Sequence, residues 1–159
     1  MLLICIIVLW IGGHMDSRIV RGGILGFVET DTSGCRFCRA YDLVMEPYNS
    51  GSADFEDYGI WDKEVVSPVE GTVVAAYDEV EDIPPNTEAF ISPEGNHVYI
   101  QIKETGTYLL LNHLKKNSVI VEIGDQVNVG DLIARVGNSG STSEPHLHIH
   151  HQRQNPLEM

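Results

Sequence analysis

The chain has 159 residues, 43% of them hydrophobic and 21% charged, which is the balance of a globular domain with a core and not of a disordered chain. Its formal net charge is −13, and no basic cluster exceeds Lys115-Lys116, so nucleic acid and anionic membrane surfaces, both held through clustered positive charge, are poor partners. Three cysteines, Cys5, Cys35 and Cys38, are too few for a disulfide framework and leave the redox compartment open; nothing in the composition sets an oligomeric state.

Residues 2–11 form an apolar run, short of the roughly 20 residues needed to span a bilayer. Its length matches a signal-peptide core, but no Lys or Arg precedes it and no Ala-x-Ala site follows. A signal or anchor remnant and a buried strand rich in β-branched residues both fit. Residues 1–28 are therefore set apart as an apolar N-terminal segment, and residues 29–159 as the main domain. "CRAYDLVMEP" (38–47) reads as a strand with an aspartate inside it, and "YNSGSADFEDYG" (48–59) as a loop. An aspartate within an apolar strand costs free energy unless it is paired, hydrogen-bonded or bound to a metal, which singles out Asp42.

"GTVVAAYD" (71–78) predicts a strand, and the acidic, proline-rich stretch 79–94 a surface loop. "NHVYIQIKE" (96–104) alternates, with Val98, Ile100 and Ile102 on one face. With "TYLLLNHL" (107–114) it predicts a hairpin turning near Gly106. From 118 to 140, glycines at 124, 130, 137 and 140 separate short valine- and isoleucine-rich pieces. Few helical periods appear anywhere. The pattern predicts an all-β fold, a compact antiparallel sandwich or barrel-like domain.

"EPHLHIHH" (144–151) closes the series with four of the seven histidines. A purification tag would be an unbroken terminal run, which this is not. On an extended strand His146, His148 and His150 share one face, while Leu147, Ile149 and His151 take the other. That describes a strand with a core behind it and a cleft in front. His-x-His on a strand suits a metal, although a half-solvated edge strand with incidental histidines has the same pattern.

Taken in order, "SPVEGTVVAAYD", "GNHVYIQI", "YLLLNHL" and "SVIVEIGDQVNVGDLIARVGNSGSTSEPHLHIH" resemble the peptidase M23 family, the lysostaphin-like or LytM-type zinc endopeptidases of bacterial cell walls. The resemblance covers roughly residues 37–151, and its specific part runs from Gly95 to His150. It implies a compact antiparallel fold of the duplicated-hybrid-motif type with a narrow groove, a bound Zn2+, peptidoglycan peptides as substrate, and a secreted or cell-envelope location. It further implies Asp42 and His148 as zinc ligands, with His113 and His146 flanking the reacting water.

Those residue types suit the chemistry. Zinc with three protein ligands keeps a position for water and polarises a carbonyl, and a neighbouring imidazole can take a proton near neutral pH. The departure is at the first ligand, where family members usually have His four residues before the aspartate. Here that position is Cys38, and thiolate is a competent zinc ligand. The other reading is an ordinary strand cysteine, with His14 the only upstream histidine. His150 is expected to rim the groove, and His97 and His151 to lie at the surface.

Two alternatives remain at this level. Degenerate members of the family lack ligands and act as non-catalytic regulators of wall hydrolases. "EIGDQVNVGDLIARVG" also resembles lipoyl and biotinyl carrier repeats, but no lysine stands at the hairpin position, which reads Gln126, Val127, Asn128.

Overall fold

The computed structural model describes residues 9–11, 14–16, 25–30, 39–87 and 94–158, with side chains from Ala40 onward. The strands are β1 (Leu9–Ile11), β2 (His14–Asp16), β3 (Leu25–Thr30), β4 (Arg39–Met45), β5 (Glu64–Val66) and β6 (Gly71–Tyr77). They continue with β7 (Asn96–Ile102), β8 (Tyr108–Leu114), β9 (Gln126–Val127), β10 (Leu132–Arg135) and β11 (Leu147–Gln152). Single 3-10 turns lie at Phe55–Asp57 and Pro156–Glu158. Among the described residues, no helix is long and apolar enough to cross a membrane. The all-β, antiparallel expectation holds.

One seven-stranded sheet, in the order β3-β4-β11-β8-β7-β6-β9, dominates; β10 pairs with β5 separately, as does β1 with β2. All these pairings are antiparallel. The predicted hairpin forms as β7 and β8, with Ile102 taking the amide of Gly106 at the turn, where Gly106 has φ of +68°. The last strand, β11, inserts between β8 and β4. That crossover sets an early aspartate beside a late histidine.

Alternation decides the faces. Val98 and Ile100 of β7, Leu109 and Leu111 of β8, and Leu147 and Ile149 of β11 enter one core with Leu43, Val73, Ile133 and Val136. Removing this apolar surface from water is the main stabilising contribution. The opposite face of the same strands is left to carry polar groups.

Within 79–94, residues 88–93 lie outside the described residues, and the remainder departs from the surface-loop expectation. Ile83 is buried and donates its amide to Asn138 O at 3.0 Å. Asp82 accepts the amides of Asn138 at 2.7 Å and Lys116 at 3.0 Å. The stretch is a strap tied across the 137–140 turn, because one apolar side chain and one carboxylate in it have buried work that the proline and charge content conceals.

Candidate metal centre

Three register partners make the floor of the site. Asp42 of β4 pairs with His148 of β11, and His148 pairs on its other side with Asn112 of β8. Directly opposed residues of adjacent strands share a face with Cβ atoms roughly 5 Å apart. The His148 Nδ1–H donates to Asp42 Oδ1 at 2.7 Å. His146 brings Nε2 to 3.5 Å from the same oxygen. His146 precedes β11 and is placed by the turn before it, not by the strand.

His113 reaches the cluster through a bulge. The β7–β8 register shifts between Asn96, opposite Leu114, and His97, opposite Asn112, so His113 is the extra residue of β8. Its φ is +59°, a left-handed conformation uncommon for residues other than glycine and tolerated by histidine more than by most. A bulge of this kind re-aims a side chain. The His113 ring consequently lies 4.7 Å from that of His146 and 5.8 Å from that of His148, centroid to centroid.

Backbone carbonyls fix the proton on two of these rings. His113 Nδ1 donates to Ser139 O at 2.8 Å, and His146 Nδ1 donates to Glu144 O at 2.8 Å. A carbonyl can only accept, so in each neutral ring the proton is on Nδ1 and the lone pair is on Nε2. The accepting loop is itself tied down. Asn138 donates to Ile83 O and accepts from Thr142 Oγ1. Ser139 Oγ donates to Leu114 O at 2.7 Å and accepts the Asn96 amide at 2.9 Å. The Gly-Asn-Ser-Gly segment is thus the clamp for the histidines.

Burial sets the charge states. It pushes the His113 imidazole down to about 3, helped by neighbouring His146 and opposed by the Ser139 hydrogen bond. His146 is lowered for the same leading reason, burial, against the hydrogen bond to Glu144 and the charge of Asp42. For Asp42, burial alone would raise the carboxyl, but the His148 hydrogen bond and the surrounding imidazoles outweigh it and hold it below the ordinary value. The centre thus sets the Asp42 carboxylate beside two imidazoles, His113 and His146, that burial holds neutral.

Nitrogen atoms of His113, His146 and His148 lie within 4.8 Å of one another, and Asp42 adds an oxygen against two of these rings. Unprotonated imidazole nitrogens beside a carboxylate are the donor set of a borderline metal such as zinc. The residues present therefore fit the group. All four positions expected from the motifs, Asp42, His113, His146 and His148, come together. Cys38 lies outside the described residues, and so does Cys35; His14 is placed only by its backbone, in β2. His150 lies beside the cluster, its ring 6.0 Å from that of His148, with Nε2 buried and without a hydrogen-bond partner. His97 and His151 are half-buried instead of superficial, His97 between Tyr77 and Tyr99 and His151 against Thr107 Oγ1 at 2.8 Å. The supporting roles of Ser139, Glu144, Thr142 and Asn96 were not anticipated from sequence.

The fold is an antiparallel sheet that gathers a carboxylate and three imidazoles at one point, a cluster that could hold a metal ion. The chain belongs to peptidase family M23, whose family model matches residues 57–158. The matched span contains His113, His146 and His148 and begins after Asp42. No curated protein gives a significant match. Among solved structures, LytU is similar over 92% of this chain and 85% of its own, at 19% identity and a TM-score of 0.50. The catalytic domain of the antimicrobial peptidase lysostaphin from Staphylococcus simulans is similar over 75% and 70% of the two chains, at 18% identity and a TM-score of 0.49. For a peptidase M23 protein from Pseudomonas aeruginosa the values are 67%, 19% identity and a TM-score of 0.42, and this chain spans 39% of its length. At such identities the likeness is one of fold.

Proposed function

We propose that the protein is a zinc-dependent endopeptidase that cleaves peptide bonds of bacterial peptidoglycan and works outside the cytoplasm, in the envelope or secreted. Asp42 and His148 would hold the zinc, with Cys38, four residues before Asp42, as the further ligand. Bound there, the metal supplies Lewis acidity, which polarises the scissile carbonyl and acidifies water. The remaining roles fall to His113 and His146. His146 Nε2 takes the proton of the attacking water as the new C–O bond forms, and Asp42, at 3.5 Å, stabilises the resulting imidazolium. As the C–N bond breaks, the same proton passes to the leaving amine, which restores neutral His146. His113, buried and with its proton tied to Ser139 O, stays neutral and orients the water through Nε2.

The observation carrying this reading is that two imidazoles have Nδ1 fixed by backbone carbonyls and Nε2 left unprotonated beside Asp42 and His148. Elemental analysis of the purified protein and of His148→Ala is the test. One zinc per parent chain, none in the variant, and chelator-sensitive release of peptides from purified peptidoglycan are expected. Full zinc retention in His148→Ala would refute the ligand assignment, and a zinc-loaded parent that releases no peptide would refute the activity.

A further inference from the structure

Among the described residues three buried side-chain atoms have no hydrogen-bond partner: Asp78 Oδ1, Asn112 Oδ1 and His150 Nε2. Asp78 follows β6 and uses its other oxygen on the Val119 amide. The remaining two flank His148. Asn112 is its cross-strand partner, and the His150 ring lies 6.0 Å away on the same strand. Buried polar atoms are nearly always satisfied, so each exception calls for a physical reason.

The reason at Asn112 follows from the proton count on His148. A carboxylate only accepts, so His148 Nδ1 carries a proton in its bond to Asp42. Giving the Nδ1 lone pair to a cation moves the proton to Nε2, where it needs an acceptor, and a ligating histidine almost always finds one. On the rings around it, the Nδ1 atoms of His113 and His146 are held by Ser139 O and Glu144 O, and His146 turns Nε2 toward Asp42. Asn112 Oδ1 is an acceptor without a donor, directly across the strand.

We infer that Asn112 is a positioning residue for His148, its side-chain carbonyl accepting the Nε2 proton when Nδ1 is given to the metal. This rests on the reading of Asp42 and His148 as ligands. The bond holds the ring in one tautomer and orientation, and gives the buried, unpartnered Asn112 oxygen its donor.

The test uses the full chain titrated with zinc alone, with affinity measured by chelator competition and the His148 ring followed by nitrogen NMR. Asn112→Leu, folded by circular dichroism, should bind zinc about 10- to 100-fold more weakly, and Asn112→Asp, which keeps an acceptor, should recover most of the loss. In the zinc-loaded parent the His148 Nε2–H should be a protected signal, and in Asn112→Leu it should exchange rapidly. Parent-like affinity in Asn112→Leu, equal losses in the Leu and Asp variants, or a loss seen in His150→Phe but not in Asn112→Leu would each overturn the inference. If His148→Ala loses its zinc while Asn112→Leu does not, this inference alone fails; if His148→Ala keeps its zinc, the ligand assignment fails and takes the inference with it.

Discussion

Acid should unfold the metal-free protein through His113. Its imidazole is 7% exposed and is pushed down to about 3, chiefly by burial. The unfolded chain takes up a proton there as pH falls through about 6.5, whereas the folded chain resists until about 3. Between those values the unfolded state binds more protons, so stability falls as pH falls. At about 1.4 kcal/mol per pH unit, His113 alone should cost about 2 kcal/mol by pH 5 and about 4 kcal/mol by pH 3, where the folded imidazole is itself half protonated. His146, also lowered by burial, acts in the same sense from the same upper limit. Asp42 adds a loss only below about pH 4, because a depressed carboxyl stabilises above its unfolded value and ceases to as pH falls through its folded one. Urea unfolding of metal-free protein at several pH values between about 7 and about 5 gives the slope. His113→Asn is the control, since asparagine tolerates the left-handed backbone at this position. Its stability should depend on pH less steeply than the parent's by about 1 kcal/mol per unit over that range. Equal slopes would refute the argument that burial keeps His113 neutral.

Asn96 is fully buried and ties Val80 N, Val80 O and Leu114 O at 2.8, 2.8 and 3.0 Å. Asn96→Ala leaves both polar groups of Val80 unpaired and should cost about 2–4 kcal/mol in urea unfolding; a loss below about 1 kcal/mol would mean that water or relaxation replaces those bonds. Cys38→Ser should weaken zinc binding severely, while Cys38→His should preserve it, both measured by chelator competition. Unchanged affinity in Cys38→Ser eliminates the thiolate ligand and turns the reading toward an incomplete, regulatory site.

Much of this site was legible in the chain, and the reasons differ by residue. Asp42 stood out because a carboxylate in an apolar strand must have a partner, and the partner is His148. Alternation assigned Leu147 and Ile149 to the core and turned His148 away from it, as observed. Alternation fails at His113. Counting from Leu109 and Leu111 would send it into the core, and only the bulge, invisible in a run reading "LLLNHL", turns it back. The Gly-Asn-Ser-Gly motif was recognisable, but its use was not, because the Ser139 group that holds His113 is a backbone carbonyl, the same in any residue. The 79–94 stretch misled because composition reports average exposure, whereas Asp82 and Ile83 act singly.

The clamp and the acid sensitivity have one origin. Holding Nδ1 of His113 and His146 on carbonyls requires the 138–144 loop to be pressed against the rings, and Asn138, Ser139 and Thr142 are accordingly buried. The burial that results lowers both imidazoles, so their Nε2 lone pairs stay free at neutral and mildly acidic pH with no need for a second carboxylate to tune them. The same burial makes protonation of these two rings an unfolding force. A cation held by Asp42 and His148 in the folded state alone would shift the equilibrium by mass action, and protons would compete for those ligand atoms. Metal should therefore stabilise most near neutrality and progressively less as acid protonates its ligands, so the site and the fold share one pH limit.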